Sequence, residues 1–162
     1  MTLRIITTGG TFDKCYDPLI GLLGFTQSLV PALLAPARLA PSPAIEPLMA
    51  IDSLHMRDEH RAAIVAACRQ SKETRIVIVH GTDTMVETAT ALAHAALPAT
   101  IVLTGAMVPA SIERSDAAFN LGFAVASAQT LPAGVWIAMN GRAHAWNRVR
   151  KNRELGCFEP IV

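Results

Sequence analysis

Cysteine is scarce. Cys15, Cys68 and Cys157 are odd in number and widely spaced, which excludes a disulfide framework and leaves no pair with metal-ligand spacing. That usage predicts a reduced, intracellular protein. Excess charge is also missing: 14 Lys and Arg against 13 Asp and Glu leave a net +1, so neither nucleic acid nor an anionic membrane is expected as a partner. No apolar run reaches membrane-spanning length, and no basic segment followed by a long apolar stretch marks a signal peptide. A cytoplasmic location is the default expectation. Repeats, a GxxxxGK phosphate loop, the full dinucleotide-binding glycine pattern and a G-x-S-x-G elbow are lacking too. His55, His60, His94 and His144 have no metal-like spacing with acids or cysteines, so no metal and no cofactor is expected. Aromatics make up only 5% of residues while alanine is abundant, which suits helices packed closely through small side chains.

What the chain does have is organised around Arg4 to Lys14, R-I-I-T-T-G-G-T-F-D-K. Arg4 to Thr7 is short, β-branched and apolar, as a buried strand would be. Gly9 and Gly10 then allow a sharp turn or a close backbone approach, and Thr11 delivers a hydroxyl where the strand ends. In an open α/β sheet that is the edge where ligands bind.

The remainder alternates strand and helix. From Phe12 to Pro47 six prolines interrupt regular structure; Thr26 to Leu34 is predicted as a short helix capped by Thr26. A loop of this length is usually functional, and Asp13 to Phe25 is a candidate lid over Thr11. Strands are predicted at Glu46–Ile51, Arg75–Val79, Thr100–Thr104 and Gly134–Met139, and helices at Arg57–Gln70, Thr84–Ala95 and Glu113–Ala128. Thr84 and Glu87 have capping-box spacing. Residues Arg142 to Glu154 are polar and basic and give no clear secondary-structure signal. The expected fold is α/β: a three-layer, open, mostly parallel sheet with helices on both faces, Rossmann-like or flavodoxin-like, forming one domain over residues 1–162.

Parallel strands would bring Thr11, Asp52-Ser53 and Thr82-Asp83 to one edge of the sheet. That convergence supplies hydroxyls and carboxylates for nucleophilic chemistry, with glycine-flanked N–H groups available for an oxyanion. Each residue also has a structural use. Thr11 can bond back to its turn, Ser53 and Asp83 can cap the helices that follow, and His80 suits a turn or core position. Lys151 and its neighbouring arginines, read by themselves, form a solvated basic face.

Two motifs together resolve this. Thr8-Gly9-Gly10-Thr11 and His80-Gly81-Thr82-Asp83-Thr84-Met85 resemble the two signatures of the bacterial-type L-asparaginase/glutaminase family. Leu103-Thr104-Gly105-Ala106-Met107 and the Ser115-Asp116…Phe119-Asn120-Leu121 run resemble the segments that follow in that family. The resemblance covers nearly the whole chain but only the first of the family's two domains; the second is expected to be absent. It implies that Thr11 is the nucleophile and that Tyr16, the only tyrosine, assists removal of its proton. It implies that Ser53, preceded by Asp52, binds the substrate's α-carboxylate, and that Thr82, Asp83 and Lys151 form a catalytic group, with Thr82 and Asp83 also touching substrate. The implied activity is hydrolysis of L-asparagine to L-aspartate and ammonia by a homodimer or homotetramer. The alternatives are a weak or inactive amino-acid-binding relative, or an amidase that prefers glutamine. The sequence departs from the family at Leu54, where a polar side chain commonly follows the serine, and at Val108, where arginine is frequent.

Overall fold

A computed structural model describes residues 2–161. Its main sheet has six strands. The five parallel ones are β1 (Leu3–Gly9), β4 (Ala44–Ile51), β5 (Arg75–Val79), β6 (Thr100–Thr104) and β7 (Gly134–Met139); β8 (Arg142–Ala145) adds an antiparallel edge. The order across the sheet is β4-β1-β5-β6-β7-β8. Two small antiparallel hairpins stand apart: β2 (Lys14–Asp17) with β3 (Leu22–Phe25), and β9 (Val149–Asn152) with β10 (Cys157–Pro160).

The central strands are uniformly apolar because both of their faces are covered. Ile76 to Val79 and Ile101 to Leu103 are fully or almost fully buried. One face carries α2 (Asp58–Gln70) and α3 (Met85–His94), whose Ile64, Leu92 and Met85 pack on Ile6, Ile78 and Leu103. The other carries α1 (Val30–Leu34) and α4 (Ala117–Thr130), where Val30, Leu121, Ala124 and Ala128 meet Ile5, Val77 and Val102. The small side chains of α4 let it lie close on the sheet. This is the three-layer α/β fold expected of the sequence. Counted along the chain, the parallel strands run second-first-third-fourth-fifth, the flavodoxin-like order. The connection from β1 leaves toward one side of the sheet and that from β5 toward the other. The switch point between them is the place such a fold offers a ligand.

Several local expectations are corrected. The helix predicted from Thr26 begins only at Val30: Leu29 occupies the cap position, Pro31 sits in the first turn, and no side chain caps it in the usual way. Its entry is held instead by Asp13, whose carboxylate accepts hydrogen bonds from Ser28 Oγ and the Leu29 N–H. Thr84 does not form a capping box; its hydroxyl donates to the Ser53 carbonyl at 2.9 Å. The helix predicted from Glu113 starts at Ala117, because Asp116 turns back to accept the N–H groups of Met107 and Val108. The candidate lid is partly regular, with the β2–β3 hairpin filling most of it. The unassigned basic stretch contains β8 and β9.

Candidate active site

Three chain turns meet at the switch point, and their backbones nearly touch. Gly10 follows β1 at φ +69°, and its N–H donates to the Ile51 carbonyl at 2.9 Å, holding the end of β1 against the end of β4. A Cβ on Gly10 would fall 2.4 Å from the Gly81 backbone, and one on Gly81 would fall 2.5 Å from Ser53 Oγ. Only glycine fits at either position. Thr11, Ser53 and Thr82 are thereby carried on three turns stacked against one another. Ser53 and Thr82 are almost wholly buried, while Thr11 is half-buried.

Thr82, Asp83 and Lys151 form one hydrogen-bonded group. The Lys151 Nζ donates to Thr82 Oγ1 at 2.8 Å and to Asp83 Oδ1 at 2.9 Å. Lys151 comes from β9, far along the sequence, and its side chain retains only 11% exposure. Its stem is therefore buried and its charge is spent on this one pair of partners. An ammonium hydrogen bonded to a hydroxyl oxygen lowers the cost of developing negative charge there, so Thr82 is electrostatically prepared to lose its proton. Arg153 adds a second cation 3.6 Å from Asp83 Oδ1.

Asp52 and Ser53 form the opposite wall. Asp52 Oδ1 accepts the Leu54 N–H at 3.0 Å and makes the tight turn that presents Ser53, and Asp52 Oδ2 receives Lys14 Nζ at 2.5 Å. Burial by itself raises the Asp52 carboxyl, but the bonds from Lys14 and Leu54 outweigh it and hold the group below the ordinary carboxylate range. Asp52 is thus tied to a lysine and a turn. Leu54, at the position where the family commonly has a polar residue, is exposed.

His80 lies beneath the group, fully buried. Its Nδ1 donates to the Gly81 carbonyl at 2.7 Å, while Nε2 lies 2.8 Å from Thr88 Oγ1 and 3.1 Å from Met56 Sδ. Desolvation lowers its pKa to about 4, only partly offset by the Gly81 carbonyl, so the ring is neutral at ordinary pH. This is the core histidine the sequence suggested.

Tyr16 is not brought into the cluster. It sits on the β2–β3 hairpin, 63% exposed, beside the exposed Leu19, Ile20, Leu22 and Leu23. The base of that hairpin is well anchored by contrast. The Ala110 N–H donates to the Phe12 carbonyl at 3.0 Å and Ser111 Oγ to the Lys14 carbonyl at 2.8 Å. A groove of about 490 Å³ runs behind Asp13, between Phe25–Ser28 and β4; neither Thr11 nor Ser53 is among its walls.

Sequence reasoning missed four contributors: Lys14, the Thr84 hydroxyl on Ser53, and the side-chain amides of Asn120 and Asn140. Only Lys14 left a local trace, lying three residues after Thr11. Among the described residues no cluster of His, Cys, Asp and Glu is arranged to hold a metal ion, and no helix is long and apolar enough to cross a membrane.

A family model described as asparaginase, N-terminal, matches residues 2–159. Among curated proteins, the chain is 38% identical over 120 residues to a glutamyl-tRNA(Gln) amidotransferase subunit of Aeropyrum pernix, covering 65% of this chain and 28% of that one. The subunit of the same name from Pyrococcus abyssi is 34% identical over 167 residues, 92% of this chain and 37% of its own length. Among solved structures, the thermostable L-asparaginase from Thermococcus kodakarensis superposes with a TM-score of 0.86 at 30% identity, covering 99% of this chain and 51% of that one. The probable cytoplasmic L-asparaginase from Campylobacter jejuni gives 0.81 at 28% identity, covering 98% and 52%. The chain therefore spans about half the length of these solved structures and about a third of the curated relatives.

Proposed function

The chain belongs to the asparaginase family, through that family's N-terminal domain, and on this footing we propose that it is an amidohydrolase that converts L-asparagine to L-aspartate and ammonia. The observation that carries the proposal is the Thr82–Lys151–Asp83 group, with Nζ 2.8 and 2.9 Å from its two partners, held at the switch point opposite the turn that ends in Thr11. Lysine seldom occupies so buried a position without a task, and this one touches a hydroxyl that a hydrolase needs.

In the proposed reaction the Thr11 Oγ attacks the side-chain amide carbon, and its proton passes by way of the Tyr16 hydroxyl to the departing ammonia. The product of this half is a β-aspartyl ester on Thr11. A water molecule bound to Thr82 then gives its proton into the Thr82–Lys151–Asp83 group and attacks the ester carbon; the group returns that proton to the departing Thr11 oxygen, releasing aspartate and restoring the Thr11 hydroxyl. The Thr11 and Thr82 backbone N–H groups serve as oxyanion donors in both halves. Ser53 binds the α-carboxylate and Asp83 the α-ammonium, a grip on both free ends that favours an amino acid over an asparagine within a chain. Asp52, occupied by Lys14, shapes that wall. No cofactor or metal enters the scheme. The same reading places the protein in the cytoplasm, as a homodimer or homotetramer, with neither nucleic acid nor membrane as a partner.

Ammonia release from asparagine by the purified protein is the direct test. Thr11→Ala, Thr82→Ala and Lys151→Met should each lose all but a trace of it, at least ~10³-fold. A wild-type protein inert at high asparagine concentration would sink the proposal.

A second reading is favoured by the curated relatives, which are named as amidotransferase subunits. On that reading the same threonine chemistry releases ammonia from glutamine for a partner protein. One methylene separates the two substrates, worth about 1–3 kcal/mol of discrimination. A parallel assay on asparagine and glutamine separates the readings.

A further inference from the structure

Lys151 reaches its partners from a hairpin that is not part of the main sheet. Val149 and Phe158 anchor β9 and β10 in the core by packing. Packing is non-directional and leaves a two-stranded hairpin free to slide by fractions of an ångström. Its directional tie lies elsewhere. In the hairpin register Phe158 stands directly across from Lys151, and the Phe158 N–H donates to the side chain of Asn140, with Oδ1 at 2.9 Å. Among the described residues, the hairpin's other hydrogen bonds to the sheet and its loops are those of Lys151 itself.

Asn140 is in turn fixed from behind. It follows β7 at φ +54°, a left-handed conformation that asparagine tolerates better than most side chains. Its N–H donates to Asn120 Oδ1 at 3.2 Å. Asn120, only 1% exposed, uses its amide nitrogen on the Gly105 carbonyl at 3.1 Å and on Asp116 Oδ2 at 2.8 Å. Asp116 closes the series by accepting the N–H groups of Met107 and Val108, each at 3.0 Å. A continuous line of directed hydrogen bonds therefore runs from the loop after β6, through the turn after β7, to the backbone opposite Lys151.

We infer that Asn140 is the positioning residue for Lys151, with Asn120 and Asp116 fixing Asn140. The line sets the backbone of β9, and through it where the lysine ammonium sits between Thr82 and Asp83. An ammonium on a four-carbon stem can compensate for coarse displacement but not restore two bonds of 2.8 and 2.9 Å at once.

Two substitutions separate the acceptor from the conformation. Asn140→Gly accepts positive φ but removes the oxygen; Asn140→Asp accepts it less freely and keeps the oxygen. The kinetic arm rests on the asparaginase reading. There, Asn140→Gly should lower kcat for asparagine by ~10- to 100-fold, a loss typical of an ångström-scale misplacement, with KM within about threefold. Asn140→Asp should stay within about threefold of wild type in both constants. The structural arm does not depend on that reading: in crystals of the two variants, the Lys151 Nζ to Thr82 Oγ1 distance should exceed hydrogen-bond range for Gly and stay within it for Asp. Should the glycine variant not fold, Asn140→Ser, whose oxygen stops one bond short of the Phe158 N–H, reads the same contact. Equal kcat and an unchanged distance in the variant lacking the acceptor would overturn the inference, as would equal loss in the Gly and Asp variants. A wild-type protein without ammonia release would instead defeat the asparaginase reading, and the two crystal distances would still decide the role of Asn140.

Discussion

Gly10 and Gly81 meet backbone to backbone at the switch point of the sheet, so closely that a methyl group on Gly10 would lie 2.4 Å from the Gly81 Cα. Ser53 closes the same stack from the far side of Gly81. This contact turns three sequence-distant segments into one site. Thr11, Ser53 and Thr82 lie on stacked turns because two glycines leave no atoms between them.

Gly10→Ala should therefore destabilise the fold and open the site together. Real Cβ atoms do not approach within 3.0 Å, so the turns must separate, and φ +69° adds its own strain for alanine. The loss of stability should be about 3 kcal/mol or more, read as a shift of the urea midpoint. An unchanged midpoint would mean that the two turns do not touch as described.

Lys14 and Asp52 join the start of the hairpin to the turn presenting Ser53. Lys14→Met should raise KM for asparagine several-fold and lower kcat less, because the substrate wall loosens while the Thr82 group is untouched. The Asp52 carboxyl is held below its ordinary value, so the pair's stabilisation is complete above the unfolded value of about 3.9 and is lost as pH falls through the folded one. Urea midpoints of wild type and Lys14→Met should thus differ at pH 7, with the difference narrowing as the pH falls below the ordinary carboxylate range.

His80 carries a second, higher pH dependence. Its ring is lowered to about 4 by burial, while an unfolded histidine titrates near 6.5. Below 6.5 the unfolded chain binds a proton that the folded one refuses, so stability is full above that pH and falls steadily toward pH 4. The group's share is about 3 kcal/mol across the window, set by burial and reduced in part by the Gly81 carbonyl. Unfolding free energies of wild type and His80→Asn, measured from pH 7 to pH 4.5, should show the steeper slope in the former, the remainder coming from His144, which burial also lowers.

Tyr16 stands away from the site at 63% exposure, on a hairpin whose outer residues are also exposed and apolar. If the hairpin folds inward on substrate, as the proposed proton relay requires, aspartate should slow amide exchange across Tyr16 to Leu23. Tyr16→Phe should then lower kcat ~10²-fold or more with little change in KM. Equal exchange with and without aspartate would remove Tyr16 from the relay.

The sequence by itself determined most of the frame. β5, β6 and β7 have the bounds that their β-branched runs predict, because an apolar segment of five or six residues between turn signals has little choice but a buried strand. The turns after β1 and β5 were equally legible, since glycine followed by threonine at a strand end is a local pattern. Two of the helix starts were not. The starts at Thr26 and Glu113 give way because Asp13 holds the chain before Val30 and Asp116 turns back to the Met107 amide. By contrast, α2 and α3 begin within one residue of Arg57 and Thr84, the Thr84 hydroxyl going to the Ser53 carbonyl and not to a capping box. Tertiary partners outbid propensity wherever a polar group could be satisfied at lower cost. The placement of Lys151 shows the same division. Its residue type and interval carried the resemblance, but charge and neighbours alone read as a solvated face. Only the folded chain decided that this ammonium lies between Thr82 and Asp83, because the bonds that place it run through Asn140, Asn120 and Asp116, which no local pattern connects.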